Sequence, residues 1–194
     1  MIPMPQAPSG FDIIDSLPWG THVTHFFSTG DELRELLVPY FKAGLENNER
    51  CLWVTGVAFD SQQARTALRS VVPDLDARES AKQIEIYDAH HWYSAAQKLQ
   101  PHSIVDGLLK AERDALSSGY AGLRTGGNCA WVQRSQWKDF QAYEGLVQQA
   151  VRGRRMICLC SYGTTQAEGS DLIAVVNQHD FTMSSRRRPS LHAV

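Results

Sequence analysis

Apolar positions along this chain switch repeatedly between a strand-like and a helix-like period. Residues 22–27 form a short, mostly apolar run, the pattern of a strand. Leu33, Leu36, Leu37, Tyr40, Phe41 and Leu45 then recur at helical spacing, so one stripe faces a core. Thr29 and Glu32 have capping-box spacing ahead of this helix, and Asn47-Asn48 is a turn signal after it. Residues 51–55 are continuously apolar, as in a strand covered on both faces. The same reading predicts a helix over 61–72, a strand over 83–87 and a helical region over 90–118 broken at Pro101. A strand over 120–125, a helix over 137–151, a strand over 155–162, a helix over 170–178 and an extended segment over 179–183 complete the chain.

Regular alternation of strand and helix predicts an α/β fold with a mainly parallel central sheet and helices on both faces. Residues 17–183 read as one domain. Residues 1–16 open with three prolines within the first ten positions and read as a flexible leader. Residues 184–194 carry Arg186-Arg187-Arg188 and read as a flexible basic tail.

Composition narrows the function classes. The net charge of −2 argues against direct nucleic-acid binding, which needs a large positive surface. No stretch of about 18 apolar residues exists, so no membrane span is expected. Cys51, Cys158 and Cys160 sit in apolar runs and read as buried structural thiols. Free cysteines with no signal peptide point to a cytoplasmic chain.

In a parallel sheet, ligands bind beyond the carboxyl ends of the strands. The loop after Thr55 reads Gly56-Val57-Ala58-Phe59-Asp60-Ser61, without the second glycine and the lysine of a phosphate-binding loop. The strand expected over 120–124 ends on Arg124, where a nucleotide hydrolase would place a metal-binding aspartate. Neither feature suits ATP hydrolysis, and no enzyme activity is expected. A planar guanidinium at a strand end suits an anionic or polar ligand group, and Gly126-Gly127 would let Trp131 fold back over Arg124. The expected ligand pocket is therefore Arg124, Trp131, Tyr143, Glu144 and Tyr162, with Tyr87 and His90 in its wall and Glu144 neutralising Arg124. Structural readings, Arg124 in a salt bridge and Trp131 as a core filler, remain open beside it. A metal site is not expected, nor is any cofactor. His22 and His25 fall on opposite faces of a strand, and Cys158-Leu159-Cys160 lacks zinc-ligand spacing.

Several segments together carry a resemblance. They are Gly20-Thr21-His22 with Phe26-Phe27, Phe41 through Leu45, Glu49 through Val54, Tyr87, Gly119 through Arg124, Gly126, Trp131, Tyr143-Glu144, Cys158 through Tyr162, and His179. In order and spacing the chain resembles the MEDS domain, a sensory domain of methanogen and methylotroph regulators. The resemblance implies a degenerate RecA/KaiC-like fold without a functional P-loop. It also implies a non-catalytic signal-transduction role in binding a small hydrocarbon derivative, and a histidine kinase or transcription-regulatory partner. A homodimer fits the same role. Two alternatives stay open: a docking module on a degenerate ATPase fold, and a metal or redox sensor built from the cysteines and histidines.

Overall fold

The computed structural model describes residues 5–89, 101–129, 132, 136–164 and 169–184. Six strands form the central sheet: β3 (Thr21–Phe27), β4 (Arg50–Thr55), β5 (Ile84–Asp88), β6 (Leu123–Asn128), β7 (Met156–Gly163) and β8 (Phe181–Ser184). Their order is β5-β4-β6-β7-β3-β8, and every pairing is parallel. Parallel neighbours need crossovers. The helices that supply them are α1 (Gly30–Glu46), α2 (Ser61–Arg69), α3 (Leu75–Ser80), α4 (Pro101–Ser117), α5 (Trp137–Val151) and α6 (Gly169–Asn177).

Strand alternation divides the side chains between two layers. One face carries Val23, Phe27, Cys51, Trp53, Ile84, Ile157 and Leu159, packed with α1, α2 and α3 through Leu33, Leu37, Phe41, Leu68 and Leu75. Phe41 stacks on Trp53 at 4.5 Å between ring centroids. The other face carries Leu52, Leu123, Cys158, Cys160 and Tyr162, covered by α4, α5 and α6 through Leu108, Phe140, Val147 and Val175. All eight residues of β7 are buried, as its continuous apolar run requires.

Two expectations need correction. Part of the segment expected as a flexible leader is an antiparallel hairpin, β1 (Gln6–Phe11) with β2 (Ile14–Pro18). Ala7, Ser9 and Phe11 are buried at alternate positions, and Phe11 stacks on Tyr40 of α1. Gly10 has φ +79°, and a Cβ there would lie 2.4 Å from the Pro39 carbonyl oxygen, so hairpin and helix touch through backbone. The second correction concerns β6. It begins at Leu123 instead of ending near Arg124, which puts Arg124 at the amino end of the strand.

Candidate functional site

On the α4–α5–α6 face, β3 presents His22, Thr24 and Phe26, and β7 presents Cys158, Cys160 and Tyr162. The register pairs His22 with Cys158, Thr24 with Cys160 and Phe26 with Tyr162. Helix α5 lowers Glu144 onto this surface, and the turn between α6 and β8 delivers His179. The result is a compact polar group under apolar helices. One ligand-type atom from each of His22, Glu144, Cys160 and His179 lies within 4.8 Å of the other three.

The local geometry is specific. His22 Nε2 stands 3.4 Å from Cys160 Sγ and 3.4 Å from Glu144 Oε2. His179 Nε2 stands 3.5 Å from the same carboxylate oxygen. The two imidazoles lie against each other at 3.9 Å between centroids. The side chains of His22, His179 and Glu144 are fully buried.

Hydrogen bonds on the far side of each ring fix which nitrogen is bare. His179 Nδ1 lies 2.7 Å from the Val175 carbonyl oxygen, which only accepts, so Nδ1 carries the proton. His22 Nδ1 lies 3.1 Å from Gln148 Oε1. The amide of Gln148 is held in that orientation because its Nε2 donates to Asp180 Oδ1 at 2.9 Å. The other oxygen of Asp180 accepts the His22 backbone N–H at 2.9 Å. Both rings therefore turn an unprotonated Nε2 toward the carboxylate and the thiol.

Electrostatics follow from burial. Desolvation, reinforced by the neighbouring His179, holds His22 well below the usual imidazole range. His179 is lowered to about 4, chiefly by burial. Burial pushes Glu144 up to about 7, while Tyr162 and Cys160 pull the other way by favouring its carboxylate. Cys129 beside Cys160, then burial, raises that thiol well above its ordinary value. With both histidines neutral, the short His–Glu approaches are not ion pairs. Among the described residues, the buried side-chain polar atoms without a hydrogen-bond partner are Thr24 Oγ1, Trp137 Nε1, both oxygens of Glu144, Tyr162 Oη, Gln178 Oε1 and His179 Nε2. All belong to β3 and β7 at this group or to α5 and the α6–β8 turn over it. Phe26, Trp137 and Phe140 surround Tyr162 as an aromatic wall.

The sequence profile described as "MEthanogen/methylotroph, DcmR Sensory domain" matches residues 21–180. The chain belongs to the MEDS family. The match spans β3 through the residue before β8, so it includes all four clustered residues. Among solved structures, the MEDS domain is similar to a KaiC-like protein from Pyrococcus horikoshii OT3. That match has TM-score 0.61 and 14% identity, covering 97% of this chain and 84% of that one. It is also similar to the flagellar accessory protein FlaH from Methanocaldococcus jannaschii. There the TM-score is 0.54 and the identity 8%, covering 89% of this chain and 74% of that one. At these identities the likeness establishes the RecA/KaiC-like fold. No curated protein sequence matches the chain.

The MEDS domain assembles only part of the expected pocket. Tyr162 and Glu144 meet as expected, with Tyr143 buried beside them against Phe140. Arg124 does not join them. It lies on the opposite face and is fully buried. Its Nε and Nη2 donate to Glu49 at 2.6 and 2.9 Å, Nη2 also donates to Pro8 O, and Nη1 donates to Ser9 O and Tyr40 O. Those contacts use all five guanidinium N–H groups, and the cation sits 4.5 Å over the Tyr40 ring. Arg124 is thus a structural tie between sheet, α1 and hairpin, and its counter-charge is Glu49 rather than Glu144. Tyr87 lies on the far edge strand, where its hydroxyl donates to Glu85. Trp131 and His90 lie outside the described residues.

His22, His179 and the cysteines are candidate ligands in the sequence, but they come from three separate elements without metal-ligand spacing, so nothing in the sequence groups His22, Cys160 and His179. His22 and His25 face opposite layers, as their spacing on a strand predicts. Proximity of β3 to β7 and β8 was the missing information, and the apolar run 156–163 beside a histidine-bearing strand was its only sequence trace.

At the carboxyl edge, the turn from β3 into α1 reads Ser28-Thr29-Gly30-Asp31-Glu32. Glu32 accepts the Ser28 N–H at 2.6 Å, and Thr29 Oγ1 accepts the Glu32 N–H. The first turn of α1 is acidic and capped from within the chain, which is unfavourable for an incoming phosphate. No helix among the described residues is long and apolar enough to cross a membrane.

Proposed function

We propose that this MEDS domain is a non-catalytic sensory module that receives a small organic molecule, a hydrocarbon derivative with one polar end, on the α5–α6 face of its sheet. The observation that carries the reading is the concentration of partnerless buried polar atoms around Glu144, Tyr162 and His179 inside an aromatic and aliphatic wall. Buried polar groups are normally paired, and each one left unpaired costs roughly 1–3 kcal/mol. A site that accepts a polar atom and covers an apolar body accounts for both features. The acidic, self-capped turn before α1 supports a sensor over a nucleotide hydrolase. Four free, buried thiols support residence in a reducing cytoplasm. The signal passes to a kinase or transcription-regulatory partner, or to a second copy of the chain.

Thermal-shift titration with short-chain alcohols, carboxylic acids, thiols and halocarbons tests the reading, on both metal-free and zinc-treated protein. One compound class should raise Tm in a saturable way. Tyr162→Phe should weaken that response and leave the fold intact. If no class shifts either form, the sensory reading fails.

A further inference from the structure

Four lone-pair-bearing atoms converge at the centre of this domain. His22 Nε2 and His179 Nε2 are bare because Gln148 and the Val175 carbonyl hold the opposite nitrogens protonated. Cys160 Sγ and the Glu144 carboxylate complete the set, and the Tyr162 hydroxyl and the Cys160 thiol are the groups that favour the charged carboxylate. The Cys160 thiol can donate to His22 Nε2, but the desolvated Glu144 carboxylate facing the second bare nitrogen, His179 Nε2, is unfavourable. A positive ion in the middle reverses that effect.

We propose that His22 Nε2, His179 Nε2, Cys160 Sγ and one oxygen of Glu144 hold a single divalent metal ion of the zinc class. The proposal rests on reading this cluster as the ligand centre, and names the part of the site that receives the polar end of the organic molecule.

Three features carry it. Spacing is the first. Tetrahedral zinc bonds of about 2.0–2.3 Å imply ligand–ligand edges of about 3.3–3.8 Å; three of the six approaches are 3.4, 3.4 and 3.5 Å, and all six lie within 4.8 Å. Donor chemistry is the second. Two imidazoles, a thiol and a carboxylate form a borderline set that suits zinc over calcium or magnesium, which require oxygen. The support around the ligands is the third. Both histidines donate Nδ1–H to an oxygen acceptor, and the His22 acceptor is itself anchored by Asp180, the outer-sphere arrangement that orients metal-binding histidines. Binding forms a metal–sulfur bond and releases the Cys160 proton to solvent, so affinity rises with pH. The ring of Tyr162 packs edge-on against His179 at 6.1 Å, beside the coordination sphere. Its hydroxyl, which favours the Glu144 carboxylate, would turn to a molecule bound at the ion.

The test starts from full-length protein dialysed against EDTA. Isothermal titration with ZnCl2 should show one site, and elemental analysis of the reloaded protein should give one equivalent. CoCl2 should produce the intense visible bands of a tetrahedral complex together with a thiolate-to-cobalt charge-transfer band. Cys160→Ser should abolish the charge-transfer band, and Gln148→Ala should weaken affinity about 10–100-fold. His25→Gln, on the opposite face, should leave the spectrum unchanged, which covers the case in which a cluster variant does not fold. A wild-type protein that takes up no cobalt, or gives an octahedral spectrum without the thiolate band, overturns the metal centre. Organic ligands that still shift the EDTA-treated protein as strongly as the zinc-loaded one overturn the ion's part in receiving the organic molecule but leave the sensory reading standing. One tightly bound zinc with no organic response overturns the sensory reading but leaves the metal centre standing.

Discussion

Arg124 shows how much a single residue can be misread from its position alone. A lone arginine in an apolar stretch looks like a ligand anchor, but the fold gives it five acceptors, two of them the oxygens of the Glu49 carboxylate, before any ligand arrives. Breaking a buried pair by removing one partner strands the other charge, at about 3–5 kcal/mol. Glu49→Gln and Arg124→Lys should therefore lower the urea midpoint sharply while leaving the cobalt spectrum of the folded fraction unchanged, because their site is on the other face. Loss of that spectrum in Arg124→Lys at full stability would contradict the assignment. Gly44 faces the same guanidinium, and a Cβ there would sit 2.5 Å from Arg124 Nε and 3.1 Å from Cys51 Sγ. Gly44→Ala should destabilise by about 1–3 kcal/mol through overpacking, read by chemical denaturation. His25 tests the electrostatics independently of the cluster. Burial lowers it to about 4, against a nearby Glu32 that pulls upward. The unfolded chain therefore binds that proton first. His25 contributes its full stability above about pH 6.5 and loses it as pH falls toward 4. The wild type should weaken across that window, and His25→Gln should flatten the slope.

At the scale of elements, the legible parts were those with a strong local pattern. The helix over 137–151 and the strands at 50–55 and 156–163 appear where apolar periodicity puts them. Strand β6 does not, and the cause is physical. Leu123-Arg-Thr-Gly-Gly-Asn128 has poor intrinsic strand character, yet it runs between β4 and β7, and pairing on both sides overrides propensity. Gly126 persists there because a Cβ would meet the Phe41 ring at 2.8 Å. That three-residue displacement moved Arg124 to the other end of the strand and out of the expected pocket. The hairpin β1–β2 was hidden for a different reason: proline and polar residues mask an alternation whose buried members include Ala7, Ser9 and Leu17. Deleting residues 1–18 should remove two acceptors of Arg124 and the stack on Tyr40. The shortened chain should lose cooperative unfolding, monitored by near-ultraviolet circular dichroism. A truncated chain as stable as the full one would restore the flexible-leader reading.

For the whole molecule, the division of the sheet into two layers separates architecture from chemistry. The α1 side is locked by Arg124, Trp53 and Phe41, whereas the α5–α6 side gathers the partnerless polar atoms. No net ATP turnover above a buffer blank should be measurable, given the acidic turn at residues 28–32. Among the described residues, strand β8 has a neighbour on one side only, so it stands at an edge of the sheet they form. Its register begins where Val23 meets Phe181, immediately after Asp180, whose carboxylate and backbone N–H clasp His22 from both directions. A four-residue edge strand held by that clasp is the part of the sheet most easily lifted away. What happens at His22 and His179 is thereby written into the border of the protein: firm anchoring of the two rings keeps the edge closed, and slackening exposes a backbone row on β3 to which another chain can add a strand. Amide exchange at residues 181–184 and in the β3 residues that pair with them should accordingly quicken in Asp180→Ala and slow on zinc addition to the wild type, with β6 unaffected.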